Sequence, residues 1–295
     1  MRRIAIGVAA CAATSLAIAS VAAAPPDFAP NANVGWFAYA RVFIAPASGP
    51  GPVPQDPAHP LVSNDEFRAT GRQATFPMGD PDAPILKPWA SDILRKINQT
   101  ILSGKPVYSL HATCRPAGVP DFLLLPMTIP MYIVQGKTEV LLILEDFGDV
   151  RRVFLNVPHS VQPKPSWYGE SIGHYEGDIL VVDTIGLNDK TPVDHFGTPH
   201  TSQLHVVERY RLTDGGKILE VNVHVEDPGA FTTPWNAIQR FRQYEPVASK
   251  ANVASLALLA TPVEGPLIEA VCAENPNSLM GLSALPVPQT TVPDF

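Results

Sequence analysis

Between residues 127 and 244 the chain is a succession of short apolar, largely β-branched runs, each ended by a break and with no helical period between them. The runs are 131–134, 139–145, 151–157, 179–182, 204–212 and 218–226, with a further candidate at 235–244. The breaks carry hairpin chemistry: Gln135-Gly136-Lys137, Glu176-Gly177-Asp178 and Asp214-Gly215-Gly216. Runs this short cannot make long helices, and β-branched residues suit a pleated surface. Six to eight strands in sequence predict a mainly β fold, an antiparallel meander closing into a lipocalin-like β-barrel or a sandwich.

The alternation within the last hairpin carries functional information. Leu219, Val221, Val223 and Val225 share one face, and Glu220, Asn222, His224 and Glu226 share the other. In the partner run His205, Val207, Arg209 and Arg211 alternate with Leu204, Val206, Glu208 and Tyr210. A polar strand face is solvated in an ordinary sheet, but in a wide barrel it lines a lumen. Both readings stand on the sequence.

Ahead of the strands, residues 90–102 predict one helix, with Ser91 as N-cap, Ile93, Leu94, Ile97 and Ile101 at 3–4 spacing, and Gly104 and Pro106 ending it. Residues 25–88 are rich in Pro, Gly, Ala and Asp without periodicity and predict a proline-rich arm over the surface, with one short strand at 36–44. Residues 1–24 predict a secretory signal peptide: Arg2 and Arg3, then an apolar, alanine-rich run, then Ala22-Ala23-Ala24. The rest, 89–295, is expected to be a single β-rich domain in a periplasmic or secreted protein, without a membrane association once the signal is cleaved. The net charge of −7 and pI near 5.6 disfavour nucleic acid as a partner, which needs a basic face. Cys11 leaves with the signal, so an exported chain keeps Cys114 and Cys272, most simply as one disulfide, with two buried free thiols as the alternative.

Several motifs in fixed order carry a resemblance. Cys114-Arg-Pro-Ala-Gly-Val-Pro120, Arg151-Arg152, Trp167-Tyr-Gly-Glu-Ser-Ile-Gly173, Glu176-Gly-Asp178, Leu180-Val-Val-Asp-Thr184 and Leu204-His-Val-Val-Glu-Arg209 resemble those of a large family of exported bacterial proteins of unknown function. The similarity covers most of residues 86–275. It implies an exported, largely β domain with both cysteines in its pattern, and it brings no catalytic role. His174-Tyr175 departs from the family, whose members commonly show a basic residue and Trp there.

Three chemistries can be weighed. Gly169-Glu-Ser171-Ile-Gly173 matches the hydrolase nucleophile pattern, but the strand before it and the helix after it are missing, so its glycines are expected to serve the backbone. His195, His200 and His205 lack regular zinc spacings, and no metal or other cofactor is expected. The remaining option is cofactor-free acid–base chemistry by a His–carboxylate pair, with His174, Asp183, His205, Glu208, Arg209 and Glu226 as candidates. Ligand contacts are expected at Trp167, Tyr175, Arg211, His224 and Trp235. The chain therefore reads as an exported barrel binding a small, partly apolar molecule in a polar-lined lumen. The alternatives are an isomerase, lyase or hydrolase using the same lumen, and a structural or interaction protein with no such site.

Overall fold

A computed structural model of the chain describes residues 24–243, apart from 31–34, 63–65, 67–68, 73–74, 106, 108–109, 111–114, 125–128 and 145–148. The signal peptide and both Cys114 and Cys272 lie outside the described residues. Nine strands form a closed barrel: β1 (Trp36–Ala38), β2 (Met131–Gln135), β3 (Glu139–Leu144), β4 (Val150–Leu155), β5 (Glu170–Glu176), β6 (Ile179–Ile185), β7 (His205–Thr213), β8 (Ile218–Glu226) and β9 (Trp235–Gln243). Each strand pairs with its neighbours in chain order, and β1 closes the ring against β9.

One pair departs from the expected antiparallel meander. β4 and β5 run parallel, joined only through Val153–Leu155 and Ser171–Gly173. Parallel neighbours need a crossover of a dozen or more residues, and 156–169, with Pro158, Pro163 and Pro165, supplies one without a helix. The seam is short, and Val150, Arg151 and Arg152 lie beyond its paired positions.

Period-2 alternation sets what faces inward. Leu180, Val182, Val206, Tyr210, Leu219, Val221, Val223, Val225, Ala237 and Phe241 fill the interior at 0–1 % exposure. The barrel is thus packed through the sheet face that the sequence marks as apolar, and the alternate face of β7 and β8 points outward. Gln239 caps one end of this core, donating from Nε2 to the carbonyls of Ala40 and Leu123 at 2.9 and 3.0 Å.

The helix α1 (Pro88–Leu102) starts two residues earlier than its pattern suggests, because Pro88 is pre-organised for the first helical position. Lys87 is the N-cap and Ser91 instead donates to the carbonyl of Pro81 at 2.5 Å. Ala90 and Leu94 bury against the core, and Asn98 Nδ2 donates to the carbonyl of Gly79 at 2.9 Å. Among the described residues no helix is long and apolar enough to cross a membrane.

The arm is more than a wrapping. Phe28, Val53, Ile85 and Leu86 are core residues, and β1 belongs to the arm. Trp36 is fully buried and donates from its indole N–H to the carbonyl of Phe28 at 2.9 Å, while Gln135 accepts from Phe28 N at 2.8 Å. A barrel whose closing strand is three residues long relies on that ring for area. Trp36→Ala is expected to cost about 3–5 kcal/mol of stability, measured by urea unfolding.

Candidate functional site

Inside the barrel the apolar packing is broken at one place. Arg151 of β4 and Glu208 of β7 are both fully buried and form a bidentate pair, Nη1 to Oε1 at 2.9 Å and Nη2 to Oε2 at 2.5 Å. Arg151 also donates to Ser171 Oγ at 3.2 Å and to Thr184 Oγ1 at 2.9 Å, and Tyr210 donates to Glu208 Oε1 at 3.1 Å. Burial opposes the charge on Arg151, but Glu208 beside it more than offsets this and raises its pKa. The Tyr210 hydroxyl is pushed up by burial and by Glu208. Glu208 is therefore the anchor of a satisfied structural network rather than an acid facing a ligand.

The same network explains the hydrolase-like motif. Ser171 is 2 % exposed and shares a 2.9 Å contact with Thr184 Oγ1. Gly169 adopts φ +63°, and a Cβ there would sit 2.4 Å from the carbonyl of Ile185. The motif is backbone and core.

The acid–base groups gather outside. On the outward face of β5 to β9 runs a chain of alternating carboxylates and imidazoles. His159 Nδ1 lies 3.0 Å from Glu170 Oε1, and its Nε2 lies 3.0 Å from Asp183 Oδ1. His205 Nε2 meets the same Asp183 oxygen at 3.0 Å, while His205 Nδ1 is 3.6 Å from Glu226 Oε2. His224 Nε2 bonds Glu226 Oε1 at 2.9 Å, with its Nδ1 on Asn236 Oδ1 at 2.8 Å. Both ring nitrogens of His159 face carboxylates, which only accept, so both contacts are hydrogen bonds when the ring carries two protons. Burial works against the charge on His224, but Glu226 and Asn236 raise its pKa. Hydrogen bonds from His224 hold Glu226 low, and the Ser160 amide, with His159, does the same for Glu170. Among the described residues, no three such groups are arranged to share one metal ion.

At the Glu170 end of this chain lies a cleft of about 580 Å³, open on one side, beside the short β4–β5 pairing. Val150, Phe154 and Tyr168 give it apolar walls, and Arg152, Lys164 and Glu170 give it charge. The Arg152 guanidinium lies 4.9 Å over the Phe154 ring and bonds Glu139 at 2.8 Å. Among the described residues Lys164 forms no ion pair.

The other expected site residues are dispersed. His174 and Arg209 both bind Glu176, at 3.0 and 2.5 Å, on the exposed outer face. Arg211 joins Glu220 at 3.2 Å. Tyr175 turns toward the barrel end, where its hydroxyl accepts from Gln135 Nε2 at 2.9 Å. Trp167 lies under Lys190 Nζ at 6.0 Å. Trp235, expected at a ligand, is 1 % exposed and packs edge-on against Phe231 at 5.8 Å, so it is a core ring. Of the expected set, the structure joins Asp183, His205, Glu226 and His224. It adds His159 and Glu170, which no periodicity marks, because His159 sits in the proline-rich crossover.

A second titratable cluster is buried away from the chain. His195 Nδ1 lies 3.2 Å from Asp121 Oδ1, and the neighbouring Asp194 carboxylate accepts from the amides of Phe196 and Thr198 at 2.9 and 3.1 Å. Burial, with the Asp121 charge adding to it, pushes Asp194 up to about 6. Burial would lower His195, but Asp121 beside it wins and its pKa is raised. His200 is lowered by burial, with Nε2 on Thr191 Oγ1 at 3.0 Å and Nδ1 on the Thr201 carbonyl at 2.8 Å.

Two predictions follow from these buried groups. Glu208→Ala strands the Arg151 charge and is expected to cost about 3–5 kcal/mol in urea unfolding, whereas the pair Arg151→Met with Glu208→Leu restores most of it. For Asp194 the folded pKa of about 6 lies above the ordinary 3.8, so its contribution is full below pH 3.8 and falls as pH rises to about 6. The loss amounts to about 3 kcal/mol, and His195 has the same sign. Asp194→Asn keeps the accepting oxygen, so the stability of this variant, measured by urea unfolding between pH 4 and 7, is expected to lack that decline.

Compared with known proteins, the chain matches no family model, no curated sequence and no solved structure.

Proposed function

We propose that this is an exported β-barrel protein that binds a small, partly apolar, anionic molecule in the cleft between β4 and β5. The observation that carries the reading is the cleft itself, about 580 Å³ in volume, within the range of small-molecule sites. Its apolar walls, Val150 and Phe154, stand beside two cations, of which Lys164 has its charge available. The interior offers less, since the inward side chains pack against one another and Arg151 is satisfied by Glu208. The binding role expected of a lumen thus moves to the outside of the wall. Export rests on the residues 1–24 pattern and on the resemblance of the strand motifs.

An acid–base enzyme is the second reading, favoured by one contact. Glu170 lines the cleft and also holds His159, so the imidazole–carboxylate chain begins at the bound molecule's position. A histidine hydrogen-bonded to a carboxylate is a pairing that general acid–base chemistry uses.

Anilinonaphthalene sulfonate, an anionic and partly apolar dye, tests the binding reading by fluorescence. One saturable site per chain is expected, with Lys164→Glu and Phe154→Ser each weakening it roughly tenfold, the loss of one charge-assisted or apolar contact. Unchanged affinity in both variants would place the dye elsewhere and sink the reading. For the enzyme reading, His159→Gln and Asp183→Asn are expected to keep ligand affinity and to slow any turnover by about a hundredfold or more. Full rate in both variants would leave the chain a structural array.

A further inference from the structure

The outward face of the barrel is divided. On β7 to β9 it is mostly charged, with His205, Arg209, Arg211, Glu220, His224 and Arg240 among its residues and Val207, Ile218 and Ile238 set singly between them. On β2 to β4 the outward positions are Tyr132 and Val134, then Glu139, Leu141 and Ile143, then Val150, Arg152 and Phe154. Only the Glu139–Arg152 pair is charged there. Val134, Val150 and Phe154 are 49 %, 46 % and 39 % exposed. The strand register places Val150 opposite Ile143 and Ile143 opposite Tyr132, so an apolar row crosses three strands. It begins at Val150, which is itself a wall of the cleft. Ile143 and Tyr132 are half-buried, and apolar side chains adjoining across strands in this way offer a face that a ligand can cover.

We infer that the cleft and this row form one site for an anionic amphiphile, its head group at Lys164 and its alkyl tail along Val150, Ile143 and Tyr132. The inference rests on the cleft-binding reading and adds the ligand's chemistry to it. Charge complementarity selects the occupant, because Lys164, without an ion pair among the described residues, stands at the cleft end of the row and the apolar track leads away from it. At ordinary strand spacing the row extends about 10 Å beyond the cleft, enough for a medium-length alkyl chain. A compact ligand would use the cleft and leave the row uncovered.

Isothermal titration calorimetry of the intact protein with decanoate (below its micelle concentration), hexanoate and decyltrimethylammonium tests this. On an open face each methylene is half covered and contributes about twofold in affinity, so decanoate, four methylenes longer, is expected to bind about fifteenfold tighter than hexanoate. Ile143→Asn is expected to bring decanoate down toward hexanoate while leaving the dye affinity unchanged, which also shows that the variant is folded. Lys164→Glu is expected to weaken decanoate. Equal binding of decanoate and hexanoate, or indifference of decanoate to Ile143→Asn, overturns the tail track while the cleft reading survives through the dye. Equal binding of decyltrimethylammonium overturns the anionic head group. Binding to phosphatidylglycerol vesicles without binding of monomeric decanoate makes the face a membrane-docking surface and overturns the inference. Failure of both decanoate and the dye removes the cleft reading with it.

Discussion

The weakest seam of the barrel is organised around one buried ion pair. Taking a guanidinium and a carboxylate out of water costs several kcal/mol per ion, and only a fully hydrogen-bonded geometry offsets that. Arg151 and Glu208 have such a geometry, with Ser171, Thr184 and Tyr210 completing it. These side chains come from β4, β5, β6 and β7, so the network spans the weakest join in the ring. The β4–β5 seam has three paired positions and no hairpin turn to hold it. Without the buried network, that parallel join would rest on very few backbone hydrogen bonds.

A filled interior has consequences for chemistry. With the lumen packed, acid–base groups on β5 to β9 face outward, where carboxylates and imidazoles pair across strands and remain hydrated. The short β4–β5 pairing leaves a recess in the wall next to that array, and the crossover 156–169 brings Ser160 and Lys164 to its rim and His159 onto Glu170 behind it. Cleft and imidazole chain meet at Glu170, whose carboxylate accepts from the Ser160 amide at 2.7 Å. The topological irregularity and the concentration of functional side chains therefore have the same origin.

The elements differ in how readily they could be read. The hairpin from His205 to Glu226 was legible because alternation and a Gly-Gly turn are local signals, and its pairing runs from His205↔Glu226 to Thr213↔Ile218. The joining of Asp183, His205, Glu226 and His224 was half legible, since shared face follows from period but proximity follows from register. His159 was not legible, because a histidine between Pro158 and Ser160 carries no periodic mark and gains its partners only through the crossover. Trp235 misled for the opposite reason: an aromatic ring beside turn residues suits a ligand contact or a core corner equally, and burial alone separates them.

By itself the sequence determined the β class, most of the strand positions, the hairpin turns, the helix near residues 90–102 and which strand face is apolar. All of these follow from spacing along one segment and from the conformational preferences of neighbouring residues. Only the tertiary structure decided that the apolar face fills the barrel, that β4 and β5 run parallel, and that the arm closes the ring through Trp36. It also decided that Arg151 meets Glu208 across 57 positions of chain. Such contacts depend on which strands become neighbours, and loop closure over long separations leaves no mark in local composition.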